Sequence, residues 1–265
     1  MNIFKEIDLE LEASRIRNDT SGYLQNKIKR INFSPFDKYR LKLILKIMKG
    51  KFLGNTAELG SGICLAAESY KPDASGVVFC DIDAFSLKAA RLLHNSETAG
   101  RGIGFVTADL RNLPFKDSFF DSIICLEALE HVDKGMHRQV LGEILRVSKN
   151  RARVYLSTPN RFSLPGLEGK VMEIFIKGYK WDAWDKTHKY IYSYGELMEF
   201  VKSFPFEIES ATGFYYLPGS TLTRLPLALQ QILGYASYLL SRYIGKFFIF
   251  RNFGFNIILE LRKLK

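Results

Sequence analysis

The sequence predicts an α/β protein whose sheet is mostly parallel. Two observations carry this. Short apolar runs alternate with stretches of helical period, the pattern of strands joined by crossover helices. Several of those runs also end on acids, glycines or Asn, at the carboxyl ends where open α/β sheets bind ligands.

In chain order, residues 36–49 form an amphipathic stretch after Ser34-Pro35 and read as a helix. A strand at 55–59 follows, then a glycine turn and a helix through about Tyr70. Val77–Ile82 is a second strand and Ala84–Asn95 a helix; Gly104–Ala108 is a third strand, ending at Asp109. Phe120–Leu126 is a fourth, followed by a helix that includes Val140–Val147. Arg153–Ser157 is a fifth, ending at Thr158-Pro159-Asn160. A helix at 194–203, a strand at about 206–215 and a final strand at Phe255–Leu261 complete seven strands.

At 265 residues the chain is long enough for one large domain with a substantial core. We divide it into an N-terminal helical segment (1–51), a cofactor-binding core (52–160), a lid-like insertion (161–190) and a C-terminal part (191–265). Hydrophobic content of 47% and charged content of 25% are ordinary for a globular protein. The 38 basic and 28 acidic residues give a net charge of +10, which favours a polyanionic partner, nucleic acid or an anionic membrane, or serves solubility alone. Cys64, Cys80 and Cys125 all fall in or beside apolar runs. Their odd number argues for reduced thiols rather than a disulfide framework, and no C-x-x-C suggests thiolate zinc. The first ten residues lack a secretory pattern. The expectation is a cytoplasmic protein, with peripheral contact at the inner membrane face as a further option.

Residues 56–64 read Thr-Ala-Glu-Leu-Gly-Ser-Gly-Ile-Cys, and Asp81 follows Gly62 by 19 positions. Glycines let a ligand approach the backbone, and the second acid accepts ribose hydroxyls. A dinucleotide fingerprint needs a third glycine three residues on, where this chain has Leu65. Glu58 would repel a pyrophosphate and suits an ammonium and a sulfonium instead. The segment resembles the first motif of class I S-adenosylmethionine-dependent methyltransferases, with Cys64 where a third glycine is usual. The glycine pair by itself is equally compatible with a ligand-free strand–helix turn.

The resemblance extends from about residue 38 to 215. It covers Asp109-Leu110, Leu113-Pro114-Phe115, Phe119-Phe120-Asp121, Glu130-His131-Val132, Glu143-Ile-Leu-Arg-Val147 and Leu156-Ser-Thr-Pro-Asn160. Lys149–Ala152 departs from the family's usual Pro-Gly-Gly turn. The resemblance implies a Rossmann-like sheet of seven strands, one antiparallel near the C-terminus, with helices on both faces. It implies S-adenosyl-L-methionine as cofactor, with Glu58, Gly60, Ser61 and Gly62 around its methionine portion. Asp81 takes the ribose, Ile82 packs on adenine, Asp109 and Leu110 lie at the base, and Leu126 touches the methionine end. Asp83 and Asp121 read as a helix cap and a turn residue.

Cys125-Leu-Glu-Ala-Leu-Glu-His-Val132 looks like the corresponding string of ubiquinone-pathway O-methyltransferases and of small-RNA 2′-O-methyltransferases. If a helix starts near residue 127, Glu127, Glu130 and His131 share one face. With His188, which fits the place of a later histidine in those groups, they form a candidate site for a divalent cation such as magnesium. Alternatively His131 orients the loop and Glu127 serves the cofactor pocket. His188 is also a candidate general base, and His131 a second catalytic candidate.

The insertion carries Phe162, Phe175, Tyr179, Trp181 and Trp184, with Gly166, Gly169 and Gly178, and reads as a mobile lid or a packed excursion. An amphipathic helix at about 225–248 sets Leu229, Ile232, Leu239, Tyr243 and Phe247 against Gln231, Gly234, Ser237 and Ser241. It reads as interfacial, or as packed on the domain or across a homodimer. Taken together, the expectation is O-methylation of a small or lipid-linked acceptor, with an RNA 2′-hydroxyl as the second acceptor class. A non-catalytic partner that keeps the cofactor fold is the rival from another class.

Overall fold

A computed structural model describes residues 35–48, 50, 54–64, 74–98, 102–178, 185–216 and 225–265. The expected helix after the glycine turn, and Tyr179, Trp181 and Trp184 of the insertion, lie outside them.

The chain runs α1 (Pro35–Met48), β1 (Gly54–Leu59), β2 (Ala74–Asp81), α2 (Ala84–Thr98), β3 (Gly102–Thr107) and β4 (Phe120–Leu126). Then come two 3-10 turns (Leu129–His131 and Lys134–Met136), α3 (His137–Val147), β5 (Ser148–Pro159) and α4 (Leu164–Phe175). The chain ends with α5 (Tyr194–Lys202), β6 (Phe206–Phe214), α6 (Leu227–Ile244), α7 (Phe248–Arg251) and β7 (Asn256–Lys263). One seven-stranded sheet has the order β3-β2-β1-β4-β5-β7-β6. The β1, β2, β3, β4 and β5 pairings are parallel, while β7 is antiparallel to both neighbours, so one strand is reversed, as expected.

Side chains alternate across the sheet with the period of two that a pleated strand imposes. Ile123, Cys125, Val154, Leu156, Ile257 and Leu259 join Val140, Leu141 and Ile144 of α3 and Leu197 of α5 in one core. Ile124, Tyr155 and Ile258 face the other way, toward Leu43 and Ile44 of α1, Leu87 of α2 and Tyr238 of α6. Both faces are thus covered by helices. That explains why these strands read as near-continuous apolar runs.

Three expectations are corrected. β5 begins five residues early, because Ser148 pairs with Phe120 across a register shift and Lys149–Ala152 extend the strand. Asp121 is no turn residue: it lies in β4, accepts from Asn55 N at 2.9 Å and pairs with Lys149. No helix starts at 127. Glu127 has φ of +52°, which breaks helical continuation, and α3 waits until His137.

The C-terminal helix is packed on the domain by a face of small residues and one tyrosine. Gly234, Ser237, Tyr238 and Ser241 are buried, against β6 and α1. Ser241 Oγ accepts from Tyr215 N at 3.0 Å and Ser237 Oγ from Tyr216 N at 3.3 Å. The amides that β6 leaves unpaired at its end are satisfied by these hydroxyls. Gly245 ends the helix against Gly213, where a Cβ would lie 2.3 Å from the Gly213 carbonyl oxygen.

Candidate active site

The glycine turn and the end of β2 hold each other. Gly60 N and Ser61 N both donate to Cys80 O, at 2.8 and 3.0 Å. Gly60 has φ of +68°, and a Cβ there would lie 2.4 Å from Ala128 Cβ. Glycine is therefore required twice over, by conformation and by close approach. Asp81 Oδ2 accepts from Gly62 N at 2.7 Å and Oδ1 from Asp83 N at 2.8 Å. Each carboxylate oxygen keeps a second lone pair for an incoming hydroxyl. Asp83 caps α2, accepting from Phe85 N and from Ser86 Oγ at 2.7 Å.

Between these loops lies a crevice of about 330 Å³. Gly60, Gly62, Asp81, Ile82, Asp109 and Leu110 line it, which brings six of the nine expected cofactor residues to one wall. Ile82 is 67% exposed, an apolar surface facing the opening. Asp109 is bound through both oxygens by Arg111, whose hydrogen bonds hold the carboxyl below its usual range. Glu58 and Ser61 are buried and do not line the crevice. Leu126 packs instead against the core that contains Ile124 and Tyr155, and Ala128 takes the wall position.

Glu127, His131, Asp133, Thr187 and Lys189 line the same crevice. Glu127 Oε1 accepts from Ser157 Oγ at 2.6 Å and Oε2 accepts from Asn256, with Arg40 3.7 Å away. Burial raises its pKa against the pull of Arg40 and Ser157. Glu130 is buried as well. Its Oε2 accepts from Thr158 Oγ1 at 3.2 Å, and Oε1 has no hydrogen-bond partner among the described residues. Burial, then the charge of Glu127, raises the Glu130 carboxyl well above its ordinary range.

The backbone oxygen of Glu130 accepts from Lys189 N and Tyr190 N, which pins the segment 187–190 beside the 3-10 turn. That puts His131 and His188 4.9 Å apart, centroid to centroid. Glu130, His131 and His188 offer three ligand atoms within 4.8 Å of one another; Glu127 does not join them. His188 Nε2 lies 4.0 Å from Glu130 Oε1 and is set behind the wall that His131 lines.

Thr187 fixes the imidazole of His131. Thr187 Oγ1 donates its one proton to Asp185 Oδ1 at 2.6 Å and lies 2.9 Å from His131 Nδ1. It can then only accept, so Nδ1 carries the proton and Nε2 is the basic nitrogen. Burial alone would raise Asp185, but the Thr187 hydroxyl and amide and the two imidazoles more than offset it and keep the carboxyl low. Asp83, Arg111, Asp133, Thr187 and Lys189 were not assigned to the site from sequence. Thr187 had a signal: Asp185-Lys-Thr187 closes an Asx turn, with Thr187 N donating to Asp185 Oδ1 at 2.9 Å.

A seven-stranded sheet with one reversed strand, a Gly-x-Gly turn and an acid at the end of β2 define the class I S-adenosylmethionine-dependent methyltransferase fold. Residues 57–156 match the family described as "Methyltransferase domain". An S-adenosylmethionine-dependent methyltransferase from Thermotoga maritima superposes with a TM-score of 0.61 at 16% identity, covering 96% of this chain and 99% of that one. A small RNA methyltransferase also gives 0.61, at 14% identity, over 87% of this chain and 26% of its own. A 4+2 cyclase, SpnF, gives 0.57 at 16% identity, over 85% and 80%. Among curated proteins, an uncharacterised protein of Methanocaldococcus jannaschii is 28% identical over 161 residues. The match spans 60% of this chain and 60% of that relative, less than two thirds of its length.

Proposed function

We propose that the protein transfers the methyl group of S-adenosylmethionine to a hydroxyl oxygen of a small or lipid-linked acceptor. The observation that carries this is His131 lining the crevice with the glycine turn, its Nδ1 held by Thr187 and Asp185 so that Nε2 is the basic nitrogen. The donor supplies a sulfonium methyl: the C–S bond breaks as an O–CH3 bond forms, its electron pair stays on sulfur, and S-adenosylhomocysteine leaves. His131 Nε2 takes the hydroxyl proton, and Asp185, through Thr187, favours the resulting imidazolium. Gly62, Asp81 and Ile82 position the adenosyl group, and Glu58, buried at the end of β1, biases the turn toward a cation.

The unpartnered Oε1 of Glu130 favours a second reading, in which Glu130, His131 and His188 hold a divalent cation such as magnesium. One carboxylate and two imidazoles are a fitting donor set. A cation there would lower the pKa of a bound hydroxyl. An RNA 2′-hydroxyl is the acceptor class that the net charge of +10 supports within this reading.

The test is release of S-adenosylhomocysteine across a panel of prenylated phenols, glycolipids and short RNAs, with magnesium and with chelator. Turnover on one hydroxyl class, lost by at least 100-fold in His131→Gln while donor binding stays intact, is the expected result. A protein that binds the donor yet turns over nothing is a non-catalytic partner. One that methylates nitrogen or carbon overturns the oxygen assignment.

A further inference from the structure

The burial of α6 leaves most of its larger apolar side chains outside, Tyr238 excepted. Ile232 is 64% exposed, Phe247 62% and Ile249 64%, and Tyr235, Tyr243 and Phe250 are exposed beside them. An amphipathic helix normally turns such residues inward. Here the inward face is Gly234, Ser237, Tyr238 and Ser241, and the two serine hydroxyls cap the end of β6, so the outward face is fixed by a structural requirement of the sheet.

The exposed surface continues beyond α6. Leu164 N donates to Phe253 O at 2.9 Å, joining the start of α4 to the turn after α7. On α4, Val171, Ile174 and Phe175 are exposed in turn. Asn160, at the carboxyl end of β5, donates to Asn252 O and Gly254 O. The surface therefore lies at the same end of the sheet as the crevice. On α6 and α7 its charge is one-sided, while α4 adds Glu168 and Glu173, the latter paired with Lys170 at 2.7 Å. From Ala211 to Leu259 the chain has no Asp or Glu, and Arg242 and Lys246 stand exposed among the apolar residues.

We infer that α6, α7 and the outer face of α4 form a docking surface for an anionic lipid bilayer. On α6 and α7, exposed Tyr, Phe and Ile with interspersed Lys and Arg and no acids are the composition of an interfacial segment, and on α4 Lys170 offsets Glu173. Anionic headgroups complement the basic residues near the surface. No helix among the described residues is long and apolar enough to cross a membrane, so the contact is peripheral. The docking surface stands independently of the acceptor. Only the corollary that a lipid-linked acceptor meets the crevice from the bilayer rests on the function proposed above.

The experiment is cosedimentation of the full chain with vesicles of phosphatidylcholine alone or with one third phosphatidylglycerol, without donor or acceptor. We expect at least tenfold tighter binding to the anionic vesicles, weakened by added salt. Ile232→Asp with Ile249→Asp should lose at least tenfold of that binding and keep the wild-type melting temperature. Arg242→Gln with Lys246→Gln should lose the preference for anionic lipid. Absence of vesicle binding overturns the inference. So does a dimer, by sedimentation velocity, that the Ile232→Asp, Ile249→Asp variant splits while vesicle binding is unchanged, since a second copy then covers the surface.

Discussion

His137 shows how one buried ring ties stability to pH. It opens α3 with no solvent exposure, Nε2 donating to Val132 O at 2.9 Å and Nδ1 accepting from the Tyr192 hydroxyl at 2.8 Å. Burial lowers its pKa, against the pull of the Val132 and Leu129 carbonyls. The unfolded chain takes up this proton as pH falls through the ordinary histidine value of 6.5, and the folded chain only at lower pH. The unfolded state therefore binds more protons in that window, and the contribution is complete above pH 6.5 and lost as pH falls through the lowered value. Urea unfolding at steps between pH 7.5 and 5.5 should show stability falling with acid in the wild type. His137→Gln should flatten the slope, at lower stability throughout because the Tyr192 bond is weakened. An unchanged slope would mean that the ring is not the titrating group.

At the scale of elements, α3 holds the floor of the crevice through one side chain. Arg146 donates to Leu113 O at 2.8 Å, to Phe115 O at 2.7 Å and to Glu143, while Glu143 Oε2 accepts from Leu113 N at 2.7 Å. The loop 109–117 thus has its backbone bonded to a helix across the sheet edge. Arg146→Met should cost about 2–4 kcal/mol, the loss of charge-assisted bonds that leaves Glu143 and two carbonyls short of partners. Cofactor affinity should fall with it, since Asp109 and Leu110 lie on that loop; differential scanning calorimetry and titration calorimetry read the two effects. The sequence displayed the pair as Glu143-Ile-Leu-Arg146 without saying what it holds, because its partners lie about 30 residues earlier. The strands were legible for a different reason. Both faces of the sheet are covered, so β2, β4 and β7 carry near-continuous apolar stretches at Val77–Cys80, Ile123–Leu126 and Ile257–Leu259. The orientation of α6 was not legible, because periodicity records which residues are apolar and not that β6 ends with two amides in need of hydroxyls. The helix expected at 127 failed on one residue, Glu127, whose left-handed backbone no propensity rule assigns to glutamate.

Across the whole molecule, charge is segregated. The chain carries +10, yet the crevice is walled by Asp81, Asp83, Asp109, Glu127 and Asp133 against Arg111 and Lys189. The glycine turn and Asp81 were legible because they are 19 residues apart in one βαβ unit. The wall made by His131 and Thr187 was not, because it forms only when the segment after α4 returns to lie beside Asn160, where Tyr192 bridges to it. An acidic crevice in a basic protein is expected to sort ligands by charge: the surface should draw polyanions, while the crevice should repel a phosphate chain and accept the zwitterionic amino-acid end of an adenosyl thioether. S-adenosylhomocysteine at 100 times its dissociation constant should therefore stabilise the protein by about 2.7 kcal/mol. For a chain of this size that is a rise of roughly 5–10 °C in melting temperature. NAD or ATP at the same concentration should give no shift. Gly60→Ala should remove the response, because its Cβ would meet Ala128 Cβ at 2.4 Å in a conformation that already disfavours a side chain. A shift with ATP and none with S-adenosylhomocysteine would mean that the glycine turn takes phosphate, and the reading of Glu58 and Asp81 would fall with it.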